Sequence, residues 1–265
     1  MNKHRVAVVQ MDTTENLKDN LKKIELMVER AAKDGAELVC FPEMVNIQTG
    51  ELTAKEKSEP LAGETVSLFR ELAGKHDIWI CCGTILETIE KDDKVYNTAV
   101  LVGSDGTIKA TYSKRHTFDI TMKDGYEYRE SDTVKAGEKI TVVDTPFGRV
   151  GFGICYDLRF PEQFREMTAM GMEILILPAC FTKETGKAHW DTLVRARAIE
   201  NGCYLLASNQ CGFKYNGDTY GHSMIVDPWG EVIKVADEEE NILVADIDLD
   251  YVAGVREQIP ATVNR

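Results

Sequence analysis

The chain has 265 residues, 43% of them apolar, and 44 acidic against 31 basic side chains, for a formal net charge of −13. Long-range repulsion at that charge argues against nucleic acid or an acidic membrane surface as a partner, and no apolar run approaches membrane-spanning length. Seven cysteines form no CxxC pair, several (Cys40, Cys81, Cys82, Cys203) sit in apolar runs, and MNKHRVAVVQMD lacks a signal-peptide h-region, so reduced core thiols and a cytoplasmic location are expected.

Length and composition predict a single domain over 1–265. The β-branched run at 5–10 predicts a strand, and Leu17, Leu21, Ile24, Val28 and Ala31 recur at helical spacing up to Gly35. AELVCF is a continuous apolar run suited to a strand buried on both faces, ending at Pro42 and Glu43. A helix near 64–75 and a strand IWICCGTIL follow. YNTAVLVGSDGTIKATY predicts two strands joined by a Ser-Asp-Gly turn, the second delivering the chain to Ser113, Lys114 and Arg115. The polar stretch from about Asp119 to Gly137, with Lys123, Asp124, Gly125, Tyr126, Glu127, Tyr128, Arg129 and Glu130 in one run, is expected to be a long loop at a site mouth. A further helix is expected to begin near Lys187, with Asp191 and Arg195 placed to form an ion pair four residues apart.

The chain also echoes itself. GAELVCFPE at 35–43 is similar to GMEILILPA at 171–179, and TAVLVGSDGTIK at 98–109 is similar to HSMIVDPWGEVIK at 222–234. Two related halves, each a sheet with helices on one face, predict an α-β-β-α layering. A doubly wound single sheet is the rival, but the paired hairpins favour mixed sheets.

Three polar residues follow apolar strands: Glu43, Lys114 and Cys155, the last in GFGICYDLRFPE. Strand ends gather at one edge of a layered sheet structure, so an acid, a cation and a thiol are expected in one cleft. There Lys114 would favour a thiolate at Cys155 and Glu43 would accept its proton. Lys114 and the backbone N–H of Tyr156 would stabilise charge growing on an attacked amide or nitrile, and Glu43 would then serve the leaving ammonia and the incoming water.

FPEM (41–44), YSKRHTFD (112–119) and GICYDLRFPE (153–162) resemble the three motif blocks of the nitrilase superfamily, the carbon-nitrogen hydrolases with a Glu-Lys-Cys triad. The resemblance continues through PACFTKETGKAHW, LVRARAIENGCY and YGHSMIVDPWG to DIDLDYVAGVREQIP, and is closest to the Nit branch, which includes omega-amidases and deaminated-glutathione amidases. It implies a four-layer α-β-β-α sandwich, dimerisation through helices, Glu43 as general base, Lys114 as stabiliser of the tetrahedral intermediate and Cys155 as nucleophile. It also implies that Glu130 orients the lysine and substrate. Branch members commonly extend past QIP into a basic, aromatic-ended tail that crosses to a partner subunit, whereas this sequence ends in ATVNR.

Plainer readings exist for each residue. Alone, Cys155 reads as a small core residue, Glu43 as a turn acid, Lys114 with Arg115 as a surface pair and Glu130 as a solvated carboxylate. The motif blocks outweigh these readings. His116, His189 and His222 raise a Cys-His alternative, but nothing in the spacing of His116, which follows a strand end near Lys114, selects it as the base. No metal-ligand spacing, GxGxxG or P-loop occurs, so no cofactor is expected. The expected substrate is a small, carboxylate-bearing molecule with a terminal amide. The same triad serves nitrile and N-carbamoyl hydrolysis, and a non-enzymatic dimeric scaffold is the alternative of another class.

Overall fold

The structure is a computed structural model that describes residues 2–121, 125, 127–215 and 217–262. The N-terminal half runs β1 (Lys3–Gln10), α1 (Leu17–Lys33), β2 (Leu38–Cys40), α2 (Glu64–His76), β3 (Trp79–Thr88), β4 (Val95–Val102), β5 (Ile108–Ser113) and a small hairpin of β6 (Asp119–Thr121) with β7 (Glu127–Arg129). The C-terminal half runs β8 (Val142–Thr145), β9 (Gly148–Phe152), α3 (Pro161–Ala169), β10 (Ile174–Ala179), α4 (Lys183–Asn201), β11 (Tyr204–Asn209), β12 (Phe213–Lys214), β13 (Gly217–Asp218), β14 (Met224–Val226), β15 (Val232–Val235), β16 (Asn241–Asp248) and α5 (Leu249–Gln258).

Two six-stranded sheets form, ordered β16-β1-β2-β3-β4-β5 and β15-β14-β11-β10-β9-β8. Each has a parallel centre, β1-β2-β3 or β9-β10-β11, flanked by antiparallel strands. Two sheets in place of one remove the doubly wound rival.

Period-two alternation sets the layers. Val6, Val8, Leu38, Cys40 and Cys81 point into a core shared with Val150, Ile174 and Leu206 of the second sheet. Their neighbours Ala7, Val9, Val39, Ile80 and Cys82 point the other way, onto Ile24 and Val28 of α1 and Phe69 of α2. Phe164 and Met167 of α3 and Trp190 and Val194 of α4 pack on the second sheet. The order is therefore helices, sheet, sheet, helices. Helix α1 starts where Asn16 Oδ1 accepts the Lys18 and Asp19 N–H groups, an Asn cap of the usual kind.

The internal echo is structural. Arg5 N donates to Glu37 Oε1 at 3.0 Å, and Arg149 N donates to Glu173 Oε2 at 3.0 Å. Each carboxylate belongs to one copy of the repeated segment, and each ties the parallel centre of its own sheet. The sheets are stitched where Ser208 Oγ donates across the interface to the carbonyls of Val9 and Cys40.

Three local expectations are corrected. Strand pairing in the AELVCF run covers only Leu38–Cys40, because the backbone beyond turns toward the site. Helix α4 begins at Lys183, not near Lys187, with Thr182 Oγ1 accepting the Thr185 N–H. Gly186 inside it hid the first turn from a propensity reading; a Cβ there would lie 2.2 Å from Tyr220 Cγ. The stretch after Asp119 is not a plain loop but the β6–β7 hairpin and a 3₁₀ turn at Glu130–Asp132. Lys123, Asp124 and Tyr126 of that run, and the last three residues of ATVNR, lie outside the described residues.

Candidate active site

Glu43 occupies a turn just past β2 and is 4% exposed. Neighbouring backbone fixes that turn: Met44 N donates to Thr84 Oγ1 at 2.9 Å, Val45 N to Thr84 O at 3.0 Å, and Gln210 Nε2 to Glu43 O at 2.9 Å. Gly83 makes the close approach possible. Its φ is +68°, and a Cβ there would stand 2.0 Å from Pro42 O.

Lys114 directly follows β5, and its N–H donates to Asn97 O at 2.8 Å. Its side chain is 2% exposed and donates from Nζ to Glu43 Oε1 at 3.0 Å and to Glu130 Oε1 and Oε2 at 3.1 and 2.8 Å. Glu130 Oε2 also accepts the Phe118 N–H at 2.6 Å, and Asn97 Nδ2 donates to Glu43 Oε1 at 2.8 Å. Burial alone would lower the Lys114 pKa, but Glu130, Glu43 and Cys155 outweigh it and hold the ammonium well above its ordinary value.

Cys155 opens the 3₁₀ turn Cys155–Arg159, three residues beyond the end of β9, and has φ +46°. A non-glycine residue in the left-handed region is strained and persists only where its surroundings hold it. Asp157 does the holding. Fully buried, it accepts Tyr112 OH at 2.7 Å and Ile154 N at 2.9 Å on Oδ2, and His116 N at 3.0 Å on Oδ1. Arg197 secures the far side of the turn by donating from Nε to Leu158 O at 3.0 Å.

The surroundings of Cys155 act on its ionisation in opposite directions. Burial and the Glu43 charge push its pKa well above the ordinary thiol value, and Lys114 and the Cys180 backbone N–H only partly oppose them. Lys114 acts on Cys155 in the expected direction, toward the thiolate, but its ammonium is shared between two carboxylates and burial and Glu43 act against it.

The three remaining histidines of interest are engaged elsewhere. His116 Nδ1 lies 2.7 Å from Asp157 Oδ1 with its ring stacked on Phe160 at 3.7 Å, His189 Nδ1 faces Arg159 Nη1 at 3.3 Å, and His222 Nδ1 meets Tyr220 O at 2.7 Å. Among the described residues, no group of three or more His, Cys, Asp or Glu could hold a metal ion. Arg195 sits 3.8 Å from Asp191, an exposed ion pair on α4.

Glu43, Lys114, Glu130, Cys155 and Tyr156 all line one cavity of about 310 Å³, which is closed on one side by Met44, Leu86 and Val134. Sequence reasoning missed Asn97 and Asp157. Asn97 was visible as an amide interrupting the β4 apolar run, and Asp157 as a carboxylate inside the cysteine block, but the partners of both come from distant segments.

Comparison with known proteins shows the family. The chain is 39% identical to the omega-amidase NIT2 of Danio rerio over 100% of this chain and 95% of that one, and 39% identical to the deaminated glutathione amidase of Dictyostelium discoideum over 98% and 93%. The crystal structure of the C. elegans NitFhit protein superposes with a TM-score of 0.93 at 39% identity, covering 99% of this chain and 65% of that one. Saccharomyces cerevisiae Nit3, a member of branch 10 of the nitrilase superfamily, superposes with a TM-score of 0.88 at 33% identity over 97% and 94%. The carbon-nitrogen hydrolase pattern itself spans residues 5–257, so this chain belongs to the carbon-nitrogen hydrolase family.

Proposed function

We propose that the chain hydrolyses the terminal amide of a small carboxylate-bearing molecule through a thioester on Cys155. The observation that carries the reading is one cavity lined by a thiol, a carboxylate and an ammonium, with the ammonium bonded to the carboxylate. Glu43 takes the Cys155 proton as sulfur attacks the amide carbon. The oxyanion then forms against Lys114 Nζ and the Tyr156 N–H. Collapse breaks the C–N bond, with Glu43 returning the proton to the departing nitrogen, which leaves as ammonia. Glu43 next deprotonates water, which attacks the thioester and releases the acid and the thiol. Glu130 fixes the Lys114 head and contributes no proton.

An amide, in preference to a nitrile or N-carbamoyl group, is supported by the relatives named omega-amidase and deaminated glutathione amidase. A homodimer is part of the reading, supported by the exposed apolar side chains Ile199, Trp229 and Tyr251 on α4, the β14–β15 turn and α5. Seven free cysteines support a reducing compartment such as the cytoplasm. No helix among the described residues is long and apolar enough to cross a membrane.

Rapid-quench intact-mass analysis with a primary amide tests the reading: an acyl adduct should appear on Cys155, with ammonia release, and both should vanish in Cys155→Ala. Turnover with an unmodified Cys155 would refute it.

A further inference from the structure

Lys57 is half-buried, lines the same cavity, and meets no carboxylate within ion-pairing distance among the described residues. Its Nζ donates to Thr49 O at 3.0 Å and lies 5.3 Å from the centre of the Tyr215 ring. Gly50 lets the two segments close up, since a Cβ there would already lie 3.0 Å from Tyr215 Cδ2. In a chain with 44 acidic side chains, a partly desolvated cation without a counter-ion is unusual. Burial lowers the Lys57 pKa, and an anion bound beside it would recover the lost solvation.

Part of the cavity lining is apolar. Met44 and Ala54 pack against Leu86 and Val134, and all four face the cavity. Arg159, a second cation on the cavity wall, contacts His189 and the Tyr156 and Phe181 rings at 5.6 and 5.5 Å, also with no carboxylate in ion-pairing distance among the described residues, and is the competing anion site.

We propose that Lys57 is a specificity-determining residue that binds an anionic group at the substrate end remote from the amide. The selectivity it confers is for an amide whose far end carries a carboxylate over one whose far end is apolar. This deepens the amidase reading and rests on it.

Glutaramate and valeramide form a matched pair, differing in a terminal carboxylate or methyl group. In Lys57→Met, the glutaramate-to-valeramide ratio of kcat/KM should fall about 10- to 30-fold, through KM and not kcat. Lys57→Arg should keep most of the ratio. Glutarate binding to Cys155→Ala, followed by calorimetry, should weaken by a similar factor when Lys57→Met is added. An unchanged ratio, with the preference lost in Arg159→Met, would overturn the proposal, and so would an equal loss on both amides. If the protein turned over no amide, the amidase reading would fall while the glutarate titration still decided Lys57. Absent or Lys57-independent glutarate binding would then count against it.

Discussion

Lys114 Nζ bonds both carboxylate oxygens of Glu130, at 3.1 and 2.8 Å, while the same ammonium holds Glu43 Oε1 at 3.0 Å. One nearly water-free cation thus serves two carboxylates, and more of its bonds go to Glu130 than to Glu43. Glu130→Gln keeps the shape and removes the charge. It should lower kcat by about 10- to 100-fold, the range expected when a preorganised electrostatic group loses its anchor. Glu130→Leu, which leaves the buried ammonium with Glu43 as its one remaining carboxylate, should also cost about 3 kcal/mol of stability. Steady-state kinetics and urea midpoints separate the two effects, and a fully active Glu130→Leu would show that Lys114 needs no such support.

The elevated pKa of Cys155 predicts a pH signature. Burial and then Glu43 raise it, so removing the Glu43 charge must move it down. In Glu43→Gln, the pH profile of Cys155 alkylation by iodoacetamide should shift to lower pH, while kcat falls by about 10³-fold with loss of the general base. A profile moved upward would mean that Glu43 stabilises the thiolate.

His116 and Asp157 should respond differently. His116→Ala removes a stacked ring whose Nδ1 is held by Asp157, and should lower activity by less than about tenfold. Asp157→Ala leaves the Ile154 N–H and the His116 N–H without their acceptor and the Tyr112 OH with only Gln163 Oε1 at 3.5 Å, and should cost about 3 kcal/mol, read from denaturation midpoints. If thioester formation disappeared in His116→Ala and survived in Glu43→Gln, the imidazole would be the base.

Gly83 and Gly74 form an internal control for backbone placement. Gly83→Ala forces a Cβ onto Pro42 O at φ +68°, so it should destabilise by about 2 kcal/mol or more and displace Glu43, lowering kcat. Gly74 lies within α2 with nothing within 4 Å of a built Cβ, so Gly74→Ala should stabilise by about 0.5–1 kcal/mol with full activity. Thermal midpoints and kcat measured together test both.

Much of the architecture was legible in one dimension because it follows from local alternation. Val6 and Val8 part from Ala7 and Val9 in the structure as a period of two requires, and the repeated segments at Gly35 and Gly171 enter equivalent strands. The start of α4 was less legible, because Gly186 is dictated by the approach of Tyr220 from a segment 34 positions later, not by its own neighbours.

The order of residues by itself determined the two related halves and put an acid, a cation and a thiol just beyond the ends of strands. Only the tertiary structure decided that Lys114 is divided between Glu43 and Glu130, that Asp157 pins the cysteine turn, and that burial and Glu43 push the Cys155 thiol up. The physical reason is that pairing and ionisation depend on distance and on the exclusion of water, and both are created by elements that meet only after the chain has folded.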